Sequence, residues 1–166
     1  MDLLQEIRRK AASSRKRIIL PESDDPRTLQ AVPIIVSQAV AEPVLIGKPV
    51  EIEARAKSIG VSLAGAAVMD LSEERLIRDL SRVYLERNRS RGASEGEARE
   101  LVQRPLYGGC ALVASGQADG IVSGATHTTA DSVRAYLRSF GPAPRIKTVS
   151  SFFLMVTPRR EFGHEG

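Results

Sequence analysis

"DGIVSGATHTTADSVRAYL", residues 119–137, decides the fold. A short apolar run around Ile121 and Val122 passes through small residues into a segment with helical period. With Thr128 as N-cap, Asp131 falls three residues later in a capping-box arrangement, and Val133, Tyr136, Leu137 and Phe140 recur at i, i+3, i+4 and i+7 as the expected buried stripe. The stretch therefore reads as strand, tight turn and helix. Gly124 and Ala125 keep the turn free of bulk, so an anion can reach the unpaired amides at the positive end of the helix dipole. Ser123, Thr126, Thr128 and Thr129 add hydroxyl donors, and Arg134 supplies a fixed charge suited to phosphate oxygens. A plainer account stands beside this one. Strand-to-helix turns hold Gly, Ser and Thr simply to cap the helix, and Asp131 with Arg134 forms an ordinary i, i+3 surface pair.

The same alternation runs upstream. Leu3, Leu4, Ile7 and Ala11 lie at helical spacing in a leading amphipathic helix. "RIILP" (17–21) and "PVLIG" (43–47) read as short buried strands, and 66–69 as a weaker third. Asp25 and Pro26 open a helix through Leu29, Val32, Val36 and Ala39, which Pro33 kinks or splits. Residues 50–60 form another helix with Gly60 as its left-handed stop, and 72–89 a longer one capped by Ser72, with Leu76, Leu80, Val83 and Arg87 near one face. Two short helices follow, divided at Pro105 and ended at Gly116. "IKTVSSFFLMV" (146–156) reads as a long strand and "TPRREFGHEG" as a turn. Strands alternating with helices predict an α/β fold with a parallel sheet flanked by helices, and an apolar strand with no returning partner suggests a chain cut short relative to its fold.

Composition narrows the function. In 166 residues, 24 Lys and Arg against 20 Asp and Glu give a net charge of +4, with the basic residues scattered, and seven Phe and Tyr with no Trp leave little for base stacking. Nucleic-acid binding is therefore disfavoured. The single cysteine, Cys110, allows no internal disulfide and has no zinc-ligand spacing, which fits a reducing, cytoplasmic setting. No apolar run of about 18 residues is present to span a membrane.

"ADGIVSGATHTTADSVRAYL", with "RIILPESDDPRTLQA", "PVLIG", "YLERNRSRG" and "VSSFFLM" in this order, resembles the phosphate acetyltransferase and phosphate butyryltransferase family from about residue 17 onward. The resemblance implies reversible acyl transfer between acyl-CoA and phosphate, giving acyl phosphate and CoA. It also implies no metal, no cofactor beyond coenzyme A as substrate, and a fold like isocitrate and isopropylmalate dehydrogenases, commonly as a homodimer. Only the first half is matched, so 1–144 corresponds to part of domain one and 145–166 to the first strand and turn of domain two. By position, Ser123, Gly124, Thr128 and Thr129 look like phosphate or acyl-phosphate binders, and Arg87 and Arg134 like CoA-binding arginines. The family's catalytic aspartate, with its neighbouring serine and arginine, has no counterpart, so no catalytic residue is expected in this chain. An alternative is a non-catalytic CoA- or phosphate-sensing or dimerising module, like the related domain fused to malic enzymes.

Other residues have modest readings. His127 is either a ligand contact or a local hydrogen-bond partner, with His164 too distant to imply a metal. Cys110 reads as a small buried residue. Glu22, Asp24 and Asp25 suggest a carboxylate cluster, although a capped loop explains them more simply. Arg87 also suits the negative end of its own helix.

Overall fold

A computed structural model of the chain describes residues 3–157 and Glu161. Four parallel strands, β1 (Arg17–Leu20), β2 (Glu42–Ile46), β3 (Ala67–Met69) and β4 (Gly120–Ile121), lie in the order β3-β2-β1-β4. Ile18 and Ile19 of β1 pair on one side with Pro43 and Val44 and on the other with Gly120 and Ile121. The centre is buried on both faces, as a helix-covered parallel sheet requires: Ile19, Val44 and Leu45 are at most 1% exposed.

Helices α1 (Leu3–Ser13), α2 (Pro26–Ser37) and α3 (Pro49–Ser58) lead, and α2 and α3 pack Leu29, Val32, Ile52 and Ala56 with Leu20 and Leu45 on one face of the sheet. On the other face, α4 (Glu74–Asn88), α5 (Glu95–Val102) and α6 (Pro105–Ala114) enclose Ile19, Val44, Leu80, Tyr84 and Leu112. Here α6 approaches the sheet very closely. A Cβ on Gly109 would lie 2.8 Å from Ile19 Cγ2 and 3.0 Å from Ile121 Cδ1, so only glycine fits. The last helix, α7 (Thr129–Ser139), lies against α6.

Several sequence expectations are shifted. Helix α2 runs unbroken through Pro33, which sits on its exposed side, but ends at Ser37, leaving Ala39 beyond it at φ 53°. Ser72 is not the cap of α4: Glu73 holds that position without a side-chain bond, while the Ser72 amide donates to Asp70. Leu80 is buried as expected, but the rest of the buried face is Ile77, Ser81, Tyr84 and Asn88, with Ile77, Tyr84 and Asn88 one position on from Leu76, Val83 and Arg87. In α7 the buried residues are Ser132, Ala135 and Ser139, because small side chains let the helix close on Leu106 and Cys110 of α6. Of the expected stripe, Tyr136 and Phe140 are half-buried against this cluster and stack on each other at 5.6 Å, and with Val133 and Leu137 they also wall a groove beside Ile146 and Val149. Residues 146–156 form no strand. No neighbouring strand offers them a ladder, and Phe152, Phe153 and Met155 are 87%, 91% and 79% exposed. The turn expected after 156 lies outside the described residues apart from Thr157 and Glu161, and so does His164.

Candidate functional site

Strand β1 leads into α2 on one face of the sheet, and its neighbour β4 leads into α7 on the other. Their carboxyl-end loops diverge here, leaving a crevice where open α/β sheets take ligands. Two contacts latch its walls together. Glu22, 3% exposed, sits just past β1. Its Oε2 accepts the amides of Gly124 and Ala125, both at 2.8 Å, while Oε1 accepts the amides of Thr126 and His127 at 2.9 and 2.8 Å. Oε1 also takes the Thr126 hydroxyl at 3.2 Å and lies 2.8 Å from His127 Nδ1. Burial alone would raise the carboxyl pKa, but the His127, Thr126 and Ala125 amides and the His127 ring outweigh it and bring it down to about 2. The second latch is Arg27, which pairs with the α2 cap Asp25 at 2.7 Å and donates to the Ala125 carbonyl at 2.7 Å. Below them the buried Ser23 hydroxyl donates to Leu20 O and accepts the Ile46 amide, tying the ends of β1 and β2.

The turn therefore does not offer open amides, as the sequence suggested: Gly124, with φ 119°, and the three residues after it turn their N–H groups onto Glu22. The hydroxyl array is differently placed. Ser123 Oγ is bonded to Ser132 Oγ and Tyr136 Oη at 3.0 and 2.6 Å. Thr128 caps α7 as expected, its Oγ1 accepting the Asp131 amide at 3.2 Å and donating to the Asp131 carboxylate at 2.6 Å. Thr129 is exposed at the first helical position, where amides have no intrahelical acceptor. Arg134 pairs with Asp131 at 2.9 Å, the ordinary i, i+3 contact, with both side chains about half exposed. Arg87 lies at the other end of α7 and donates to Phe140 O at 2.9 Å. Arg134 and Phe140 are six positions apart, which is about 9 Å of helix.

His127 is the local hydrogen-bond partner of the plainer reading. Cys110 is fully buried, and desolvation pushes its thiol up to about 12, which keeps it protonated. Glu22, Asp24 and Asp25 are not a common carboxylate cluster: Asp24 is exposed, Asp25 caps, and Glu22 faces the other loop. Among the described residues no group of three His, Cys, Asp or Glu is placed to hold a metal, and no helix is long and apolar enough to cross a membrane. Sequence reasoning places Glu22 only in a carboxylate cluster or a capped loop, and it singles out neither Arg27 nor the Tyr136 hydroxyl. A signal for Glu22 existed: Asp25 alone suffices to cap α2, so an acid set directly after a buried strand and Pro21 needs its own partner.

The family model for phosphate acetyl/butaryl transferase matches residues 2–164. The phosphate acetyltransferases of Acetivibrio thermocellus and Thermoanaerobacterium thermosaccharolyticum are 39% and 37% identical over the whole chain, which covers 49% and 50% of their lengths. The EutD phosphotransacetylase of Staphylococcus aureus superposes with a TM-score of 0.80 at 28% identity, over 89% of this chain and 44% of that one. A phosphotransacetylase from Streptococcus pyogenes gives 0.81 at 26% identity, over 89% and 46%. The chain thus spans about half the length of the curated relatives it matches. It belongs to the phosphate acetyl/butaryl transferase family.

Proposed function

We propose that this chain is the phosphate-holding half of a phosphate acetyltransferase. In that reaction an oxygen of hydrogenphosphate attacks the thioester carbonyl of acetyl-CoA, the C–S bond breaks, and the proton given up by hydrogenphosphate goes to the leaving thiolate, giving acetyl phosphate and CoA. The observation that supports this reading most is the exposed start of α7 beside the β1–β4 crevice, in a chain matched along its length by phosphate acetyltransferases. Thr129 presents a hydroxyl there, the first-turn amides add partial positive charge, and Thr128 and Arg134, both paired with the Asp131 carboxylate in the free chain, exchange it for the phosphate. Ser123 acts from beneath through its bonds to Ser132 and Tyr136, and Gly124 by setting the turn. Arg87 meets a phosphate of CoA farther along α7.

At the start of α7 the Asp131 carboxylate is engaged with Thr128 and Arg134 and the His127 ring with Glu22, so on this reading neither serves as the general base that takes the CoA thiol proton in the reverse direction. A thiol with pKa near 8.5 gains roughly 10²- to 10⁴-fold from such a group, so the chain alone turns over poorly. The wider proposal keeps the remaining family features: a dehydrogenase-like two-domain enzyme whose first domain includes 1–144 and whose second begins in 145–166, cytoplasmic, homodimeric, with CoA as substrate and no metal. A regulatory module like that on malic enzymes is less favoured, since the relatives above are described as phosphate acetyltransferases.

Calorimetric titration of the purified chain with phosphate and with CoA tests the reading. Phosphate binding should weaken at least about tenfold in Thr128→Val/Thr129→Val and in Arg134→Gln, by loss of one or two charge-assisted bonds. Arg87→Gln should weaken CoA alone. Unchanged phosphate affinity in both former variants rejects the site, and robust thioester formation from acetyl phosphate and CoA rejects the missing base.

A further inference from the structure

We propose that Glu22 is a built-in anion: a positioning residue that fills the amide nest of residues 124–127 and closes it to the substrate's phosphate. The geometry is that of a completed anion site. Four consecutive backbone N–H groups converge on one carboxylate, two on Oε2 and two on Oε1, all within 2.9 Å, and a hydroxyl and an imidazole complete the shell. Such a run of amides binds anions in many proteins. Here the anion is covalently attached, so a free phosphate must compete with a ligand at very high effective concentration. Glu22 is itself 3% exposed, and burial to that depth penalises a doubly charged, strongly hydrated phosphate more than a single carboxylate.

Two consequences follow for the loop. Its conformation is fixed before substrate arrives, because Glu22 and Arg27 clamp it from the opposite wall, so ordering it costs nothing on binding. The nest's positive potential is also cancelled from within. Attraction for substrate then comes from the outer side, the α7 first turn with Thr128, Thr129 and Arg134. This last point rests on the function proposed above; the filling and closure of the nest do not.

Removing the tethered anion should leave a vacant site for a small free one. In Glu22→Ala, formate or acetate should raise the melting temperature in a saturable way, recovering a large part of the loss, as expected when a ligand binds only the folded state. Wild type and Asp119→Ala, which loses the unrelated carboxylate contact to the Arg17 amide, should respond to formate no more than to chloride at equal ionic strength. Absence of variant-specific recovery overturns the proposal. As a check that does not depend on how well Glu22→Ala folds, the wild-type chain is also titrated with formate and with phosphate while the amide resonances of Gly124 and Ala125 are followed. They should stay in place, and movement of either with added anion overturns closure. Movement of the Thr128 and Thr129 amides with phosphate bears only on the proposed function, so the two ideas fail separately.

Discussion

The β1–β4 crevice and the segment from Pro142 to Thr157 are opposite kinds of structure within one chain. In the crevice every wall is bonded to the other: Glu22 to four amides, Arg27 to Ala125, Asp25 to the start of α2. In the C-terminal segment, apolar side chains that ordinarily drive folding stand in water, with Phe152 and Phe153 about nine-tenths exposed. Leu3, Leu4 and Ile7 of α1 are exposed in the same way, at 44%, 40% and 44%. The loop of residues 124–127 is held by polar contacts within the chain, whereas the apolar side chains of the periphery find no cover there. An exposed apolar tract of that size marks a surface suited to contact with further polypeptide.

Glu22 carries the largest expected effect. Its carboxyl falls from an ordinary 4.5 to about 2 in the folded chain, so the charged form is favoured by folding. The stabilisation is fully present above pH 4.5 and is lost as pH falls toward 2. It amounts to about 3 kcal/mol, an order-of-magnitude figure from the shift. Glu22→Gln should lose stability of about this size at neutral pH, since an amide NH₂ cannot accept from the N–H groups it faces. Its stability should also decline less than that of wild type between pH 4.5 and 2.5. Urea unfolding at several pH values checks both, and a parallel decline in the two proteins would show that Glu22 does not hold the loop through its charge.

Next in size is Gly109, which sets how closely α6 lies under the crevice. Gly109→Ala should cost roughly 1–3 kcal/mol, because the new methyl group meets Ile19 and Ile121 inside normal contact distance and overpacking displaces the helix. Stabilisation instead, as expected from helix propensity alone, would mean that the sheet yields easily at β4.

The fold was largely legible, and the reason is local. Short apolar runs bounded by Pro or Gly mark the strands, and Asp25, Pro26 and Thr128 start their helices as the capping rules require. Errors came where tertiary contacts decide. The face of α7 that is buried follows from the small residues that let it approach α6, which periodicity of large apolar residues cannot weigh. Residues 146–156 have strand composition but no partner, and a strand is defined by pairing. The Gly, Ser and Thr content of residues 123–129 singles out the strand-to-helix turn, yet the state of its amides depends on Glu22, 102 to 105 positions earlier. No local pattern links them.

Thr128 offers a smaller and more selective test. Thr128→Ala removes the cap bond to the Asp131 amide and the bond to its carboxylate, which should cost about 1 kcal/mol. The Glu22 latch lies on the far side of His127 and should persist, so the amides of Gly124 and Ala125 should keep their protection from hydrogen exchange. If they lose it together with the start of α7, turn and helix open as one unit and the crevice is less independent than its bonds imply.

The smallest effect on stability is expected at the other pole of the comparison. Phe152→Ser/Phe153→Ser removes two rings that are about nine-tenths exposed, so unfolding free energy should change by no more than about 0.5 kcal/mol. Solution behaviour should change more: sedimentation at rising concentration should show less self-association in the variant, because two large apolar groups are withdrawn from the surface. A loss of several kcal/mol would mean instead that the rings pack in solution, and the contrast between a self-sufficient crevice and an unsatisfied periphery would have to be abandoned.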